Sequence, residues 1–278
     1  MSVLLLCEDR TLATALDSQL SSRGRALKRL SADELLADPA LADGAILINA
    51  LLIPGEAVGP GLPLVQKNLL SLLASRLQCY IAISDARVLE GLDADTALTE
   101  NVTPAAMTVE AQRLAEMEEG LLSAPCQSLV LRAGPLIASS GENFLAALLE
   151  SLMAGEVVGL RNAGQSCPTP VSDLARVLSA MVDQLTCGAP CRGIYHYQSS
   201  GSCSAYAFAE IAYAHASQYL ANAPDIVEDP RGWDWPAELP VLQCERLLRN
   251  FGIKQLPWRA WLPKLIKSLC EDASNECL

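Results

Sequence analysis

The first residues of this chain that could do chemistry lie in the turn Cys7–Ala13, between an apolar run and an amphipathic helical pattern. The run Val3–Leu6 is typical of a buried strand, and the apolar spacing over Leu12–Leu20 predicts a helix. Such a strand–turn–helix unit binds nucleotides when glycines in the turn let the backbone approach a pyrophosphate. This turn contains two acidic residues and no glycine. Arg10 would offset part of that negative charge, so an altered anion site stays open.

Ten cysteines and two histidines are the other residues with nucleophilic or metal-binding chemistry. Cys187 and Cys191 form the only close pair, and the three residues between them match neither a redox motif nor a zinc-knuckle spacing. No cysteine cluster accompanies His196 or His215. The sequence therefore predicts no metal site, and we interpret the cysteines as small apolar residues of a reducing compartment.

Composition and charge restrict the partners of the chain. Its 278 residues, 51% of them hydrophobic, suffice for a large buried core. The net charge of −12 argues against nucleic acid and anionic membranes as partners, because both require a basic surface. We find no leader pattern at the N-terminus, and prolines interrupt the apolar stretch Ala45–Val65. We therefore expect a cytoplasmic protein.

Apolar runs of strand length alternate with helical patterns, which predicts βαβ units and a doubly wound parallel sheet of the Rossmann type. The predicted strands are Val3–Leu6, Ala45–Asn49, Cys79–Ser84, Ser128–Arg132, Glu156–Leu160 and Gly193–Tyr197. The predicted helices are Leu12–Leu20, Leu64–Leu77, Pro104–Leu121, Asn143–Ala154, one from near Pro170, Ala205–Leu220, Leu239–Phe251 and Trp258–Leu269. We divide the chain into a Rossmann-like domain, 1–155, to which the strand 193–197 returns, and a mainly helical C-terminal lobe, 156–278.

A series of short motifs occurs in order along nearly the whole chain. They are Ile48-Asn49-Ala50, Ser84 through Gly91, Leu131-Arg132, Gly141 through Phe144, Pro168-Thr169, Gly193 through His196 and Phe251-Gly252-Ile253. Their order and spacing resemble those of the extended short-chain dehydrogenase/reductases, in the dTDP-4-dehydrorhamnose reductase (RmlD-like) branch. The resemblance implies an NAD(P) cofactor and the reduction of a sugar nucleotide.

The cofactor loop of that family differs in this chain. When the loop is aligned without gaps from Val3, its three glycines fall on Cys7, Arg10 and Ala13. Side chains then occupy the space that a cofactor phosphate requires. We therefore expect no conventional binding of NAD(P).

The catalytic residues implied by the resemblance are also replaced. The family's catalytic Tyr falls on Thr108, its Lys on Gln112 and its substrate-binding hydroxyl on Asp85. An alkyl hydroxyl is a poor acid near neutral pH, and an uncharged amide does not lower the pKa of a neighbour. The interval Ala86–Leu121 contains no Tyr and no Lys, so no shift of the alignment within it restores the pair. We predict no catalytic residue.

The resemblance implies a ligand pocket walled by Ser84, Asn143, Phe144, Pro168, Thr169 and Trp235. The alternative for the Asn-Phe and Pro-Thr motifs is structural, as a helix entry and a turn beneath the small lobe. Trp235 replaces a phosphate-binding residue of the family, which argues against a nucleotide sugar. Trp233 and Trp235 could instead contact a protein partner, or pack in the core. For Arg132 and for His196, a structural role and a functional role are both retained as alternatives.

Three functions remain. The first is a non-catalytic binding or regulatory protein without a cofactor, whose partner is another protein, a second copy of itself or a sugar-nucleotide-like molecule. The second is an active reductase of the dTDP-4-dehydrorhamnose type with an atypical site for NADP(H) or NAD(H). The third is an enzyme of another reaction type that uses Asp85 as an acid or base. The loss of both motifs favours the first.

Overall fold

The computed structural model describes residues 2–92, 98–220, 224–235 and 241–276. The described strands are β1 (Val3–Cys7), β2 (Leu27–Leu30), β3 (Ile46–Ala50), β4 (Cys79–Asp85), β5 (Ser128–Ala133), β6 (Leu136–Ile137), β7 (Val158–Leu160), β8 (Thr169–Pro170), β9 (Gly193–Tyr197) and β10 (Ile226–Glu228). The described α-helices are α1 (Arg10–Ser21), α2 (Ala32–Ala37), α3 (Leu62–Leu73), α4 (Val109–Leu122), α5 (Phe144–Met153), α6 (Val171–Thr186), α7 (Ala205–Ala216), α8 (Glu245–Phe251) and α9 (Leu262–Glu276).

A six-stranded parallel sheet forms the centre of the molecule, with the strand order β2-β1-β3-β4-β5-β9. The order reverses beside β1, which leaves a crevice at the carboxyl ends of β1 and β3. Strands β1, β3, β4 and β5 are buried along their whole length. Strands covered by helices on both faces must be apolar throughout, which explains the continuous apolar runs in the sequence. The predicted doubly wound α/β fold is confirmed.

Helices cover both faces of the sheet and also form a second core. Leu16 of α1 and Leu178 of α6 belong to one apolar cluster, on the first face. Helices α3 and α4 cover the other face, where Leu69 is buried. A second core surrounds Trp258 and joins α5, α7 and α9. The division of the chain at residue 155 stays a prediction. Helix α5, which precedes this residue, packs in the second core, whereas helix α6, which follows it, packs on the sheet.

The helix expected over Pro104–Leu121 begins later, at Val109. Ala106 has a positive φ of 44°, which a right-handed helix does not accommodate. Thr108 then caps the helix, since its hydroxyl accepts a hydrogen bond from the Ala111 N–H at 3.2 Å. The expectation of a helix from Pro104 was therefore wrong by about one turn and a half.

The strand expected over Glu156–Leu160 is β7, which pairs with β10 outside the central sheet, and the helix expected over Trp258–Leu269 is α9, which begins at Leu262. The helix expected over Leu239–Phe251 begins at Glu245, and residues 239 and 240 lie outside the described residues. The edge strand β2 was not predicted, because two exposed basic residues interrupt its apolar pattern. A capping box formed by Ser31 and Glu34 was the available signal for α2. Within the described part of the chain, every helix is too short or too polar to cross a bilayer.

Candidate functional site

The turn between β1 and α1 is closed by its own side chains. Cys7 is buried, and its thiol donates to the Asp9 carbonyl at 3.2 Å. Burial, and after it the charge of Asp9, raises the pKa of Cys7 to about 12, so the thiol stays protonated at neutral pH. The Asp9 carboxylate caps α1 by accepting from the Leu12 N–H at 2.5 Å. The helix terminus that would meet a dinucleotide phosphate is therefore already occupied by a carboxylate of the protein.

A cleft of about 130 Å³ lies beside this turn, bordered by the segments that follow β3 and β6. Three carboxylates line it, those of Asp9, Glu56 and Glu142. Burial raises the pKa of Glu56, and the charges of the other two carboxylates add to this shift. Ala13 is buried in the core, and Arg10 lines a different cavity on the outer side of α1. The cleft is therefore acidic, and no cation of the turn neutralises it.

Asp85 lies fully buried at the end of β4. Its carboxylate accepts from the Gly55 N–H at 2.7 Å and the Arg87 N–H at 2.8 Å, and pairs with the Arg87 guanidinium at 2.8 Å. The same guanidinium contacts Glu110 at 2.6 Å and the Glu56 carbonyl. An acid or base must reach its ligand, which a buried and fully engaged carboxylate cannot do. These contacts therefore favour an anchoring role for Asp85 over the role of an acid or base.

The side of helix α4 that packs over the end of β4 is not the side that carries Thr108 and Gln112, the two positions given by the alignment. Thr108 and Gln112 are both exposed. Leu114 and Glu118 instead lie beside the end of β4, where they line a small cavity. If the family's Tyr and Lys lay on this side of α4, four residues apart, they would fall on Glu110 and Leu114. The Tyr–Lys pair is therefore absent from these two positions as well as from Thr108 and Gln112. The assignment of the family positions to Thr108 and Gln112 stays a prediction.

A buried polar network lies at strands β4 and β5, with further residues from α4 and β9. The Arg132 guanidinium meets both Glu118 carboxylate oxygens at 2.6 to 3.1 Å, and the Ser84 hydroxyl donates to the same carboxylate at 2.6 Å. Arg132 Nη1 lies 3.4 Å from His196 Nε2. Burial, and then the charge of Arg132, lowers the pKa of His196 to about 3, so its ring is neutral. These contacts favour structural roles for all four residues, including Ser84.

The helix-entry motif lies at the acidic cleft. Asn143 caps α5 by accepting from the Ala146 N–H at 3.2 Å, and both Asn143 and Phe144 line the cleft. The Phe144 ring lies 4.6 Å from the Trp235 ring. Trp235 is buried, and its indole N–H donates to the Cys203 carbonyl at 3.1 Å. Trp235 is therefore a core residue, whereas Asn143 and Phe144 are the predicted pocket residues that border an open space.

The Pro-Thr motif is a turn beneath the small lobe. Thr169 is fully buried, donates to the Cys167 carbonyl at 3.2 Å and accepts from the Ser199 N–H at 3.1 Å. Pro168 is buried beside it. Four of the six residues predicted to line a pocket are thus held in the protein interior, whereas Asn143 and Phe144 border the cleft. Trp233 is 39% exposed and remains available to a partner.

A larger cavity, of about 690 Å³, has Cys7 of the predicted cofactor loop in its lining, but the residues of β2 and α2 that line it were not predicted from the sequence. It lies at the carboxyl ends of β1 and β2, in the crevice where open α/β sheets bind ligands. Arg29 and Ser31 line it, and the Arg29 guanidinium donates to the Cys7 carbonyl at 2.8 Å and the Glu8 carbonyl at 2.9 Å. A basic residue near the end of a strand and a hydroxyl directly after it would have indicated this cavity, had β2 been predicted.

Comparison with known proteins identifies the family. A family model described as the RmlD substrate binding domain matches residues 66–271, more than half of the chain. A dTDP-4-dehydrorhamnose reductase from Sinorhizobium fredii is 23% identical over 166 residues, which cover 58% of this chain and 56% of that protein. The chain spans about half the length of the curated relatives it matches.

Two solved structures share the fold. A dTDP-4-dehydrorhamnose reductase from Clostridium acetobutylicum has a TM-score of 0.78 at 18% identity, over 97% of this chain and 99% of that one. Another, from Bacillus anthracis in complex with NADP, has a TM-score of 0.74 at 16% identity, over 96% and 97%. Likeness at these identities shows the fold alone. The match to the family model shows that this chain belongs to the RmlD substrate binding domain family, as the resemblance of its motifs predicted.

Proposed function

We propose that this chain is a non-catalytic member of its family, which acts by binding a partner protein or a second copy of itself. The observation that carries the proposal is the ion cluster of Asp85, Arg87 and Glu110 at the end of β4. Carbonyl reduction of the family type needs a free hydroxyl and an acidified phenol at this place. Here Asp85 and Glu110 both pair with Arg87, and none of these three side chains is a hydroxyl or a phenol that could donate a proton to a substrate.

The acidic cleft supports the proposal independently. Two like charges 4 Å apart near a protein surface repel each other by about 4 kcal/mol. Asp9, Glu56 and Glu142 would therefore weaken the binding of a dinucleotide phosphate placed in this cleft. The same charges oppose a sugar-nucleotide ligand, because its diphosphate is also anionic.

The test is a titration of the protein with NADPH and NADH, followed by nicotinamide fluorescence and by the shift in Tm. A ligand that binds only the folded state raises Tm, so we expect no saturable shift up to millimolar concentrations. The double variant Asp9→Asn/Glu56→Gln removes two charges from the cleft and should bind more tightly than the wild type. Glu116→Gln/Glu119→Gln removes two charges from exposed positions of α4 and serves as the matched control.

A second candidate function is an active NAD(P)-dependent reductase with an atypical site. The observation that favours it is the cavity of about 690 Å³, which Arg29 and Ser31 line at the crevice of the sheet. A saturable shift at micromolar NADPH, together with turnover of a dTDP-4-dehydro sugar, would refute the non-catalytic proposal and support this one.

A further inference from the structure

A second cavity lies outside the cleft, between the outer side of α1, the segment after β6, the N-terminus of α6 and α9. Its volume is about 380 Å³, within the range of small-molecule sites. Arg10 and Lys264 line it together with six Ser and Thr hydroxyls, and its described lining contains no carboxylate. Trp261 and Leu265 provide an apolar wall. In a chain with a net charge of −12, this combination of residues is unusual.

The charged donors and the indole N–H of this cavity lack partners among the described residues. Neither Arg10 nor Lys264 forms an ion pair with any described residue. The Trp261 indole N–H is buried without an acceptor among the described residues. Helix α6 begins after Pro170 without a side-chain cap, and its first residues line the cavity. Buried donors are nearly always paired in folded proteins, so the Trp261 indole N–H indicates a missing acceptor, whereas the exposed side chains of Arg10 and Lys264 can reach a ligand from the surface.

We propose that this cavity binds an organic phosphate monoester of up to about the size of a nucleoside monophosphate. A phosphate monoester carries a charge of about −1.5 to −2 and three acceptor oxygens near neutral pH. Two cations, hydroxyls and an uncapped helix N-terminus match that charge and acceptor number, and a carboxylate would satisfy fewer of them. The ring of Trp261 and the side chain of Leu265 would contact the organic part.

The cavity is distinct from the acidic cleft. Four residues line both spaces, namely Thr11, Ala138, Ser140 and Val171. The hydroxyls of Thr11 and Ser140 are hydrogen-bonded to each other at 2.8 Å, which joins α1 to the segment after β6 between the two spaces. Cations line one side of this contact and carboxylates line the other. The inference therefore goes beyond the proposed function and does not depend on it.

Titration calorimetry with AMP, adenosine and inorganic phosphate tests the inference on the full chain. We expect AMP to bind and the neutral adenosine not to bind, with inorganic phosphate weaker than AMP. Arg10→Gln and Lys264→Gln should each raise the Kd for AMP about tenfold or more, because each removes a charged hydrogen bond. Lys267→Gln is the matched control on α9, since Lys267 is exposed and pairs with Glu271 at 3.6 Å.

Three results would overturn the inference: AMP binding no better than adenosine, an AMP affinity unchanged in Lys264→Gln, or an equal loss in Lys267→Gln. The second would place AMP elsewhere, and the third would indicate a general charge effect. NADPH also contains a phosphate monoester, so its titration is repeated on Lys264→Gln. If the shift in Tm caused by NADPH is lost in Lys264→Gln, the result supports the inference and leaves the non-catalytic proposal standing. A shift that persists means that NADPH binds elsewhere, and together with turnover of a dTDP-4-dehydro sugar it refutes that proposal instead.

Discussion

The buried ion pair of Glu118 and Arg132 tests whether the polar residues behind β4 are structural. Arg132 is fully buried and Glu118 is 5% exposed, and the guanidinium meets both carboxylate oxygens. Glu118→Leu leaves the charge of Arg132 buried without its partner. We expect this variant to lose about 3–5 kcal/mol in the free energy of unfolding, the usual cost of breaking a buried pair.

The double variant Glu118→Leu/Arg132→Met removes both charges and keeps the volume apolar. We therefore expect it to lose less stability than Glu118→Leu alone, because no uncompensated charge remains. Glu119→Leu is the control, since its side chain is exposed on the same helix. This control should change the free energy of unfolding by no more than about 0.5 kcal/mol.

The assay is urea denaturation of the four variants and the wild type at pH 7, followed by circular dichroism. The free energies of Glu118→Leu, Arg132→Met and their double variant form a double-mutant cycle. A loss below about 1 kcal/mol in Glu118→Leu, or losses that simply add in the double variant, would refute the reasoning. Such a result would mean that the pair is solvated and open to a ligand.

Two further predictions concern single titrating groups. Burial and Arg132 hold the pKa of His196 at about 3, below the value of about 6.5 in the unfolded chain, so the unfolded state binds the proton first as pH falls. As pH falls from 6 to 4, His196 should therefore lower the free energy of unfolding by up to about 1.4 kcal/mol per pH unit. Urea denaturation of His196→Gln should show a smaller loss of stability over this pH range than the wild type. Equal slopes of stability against pH in the two proteins would contradict this. Burial raises the pKa of the Cys79 and Cys244 thiols to about 12, whereas Cys187 is exposed. A thiol reagent at pH 8 should thus label Cys187 before the other two in peptide mapping, and simultaneous labelling would contradict the burial.

Much of the fold could be predicted from the sequence, because buried parallel strands must be apolar along their whole length. The strand over Gly193–Tyr197 has the predicted bounds, and it completes the sheet beside β5. The edge strand β2 could not be predicted in this way, since both of its faces are partly exposed at the sheet edge, which permits Lys28 and Arg29. Local pattern therefore identifies the centre of the sheet better than its edge.

The sequence by itself determined the residues at the carboxyl ends of the strands and the absence of a Tyr–Lys pair in the interval after β4. Only the tertiary structure decided the partners of those residues. Asp85 is engaged by Gly55 and Arg87, and Arg10 lines a cavity with Lys264 from the other end of the chain. Periodicity reports which face of an element is buried, whereas long-range contacts depend on how helices pack across the sheet, which no local pattern encodes.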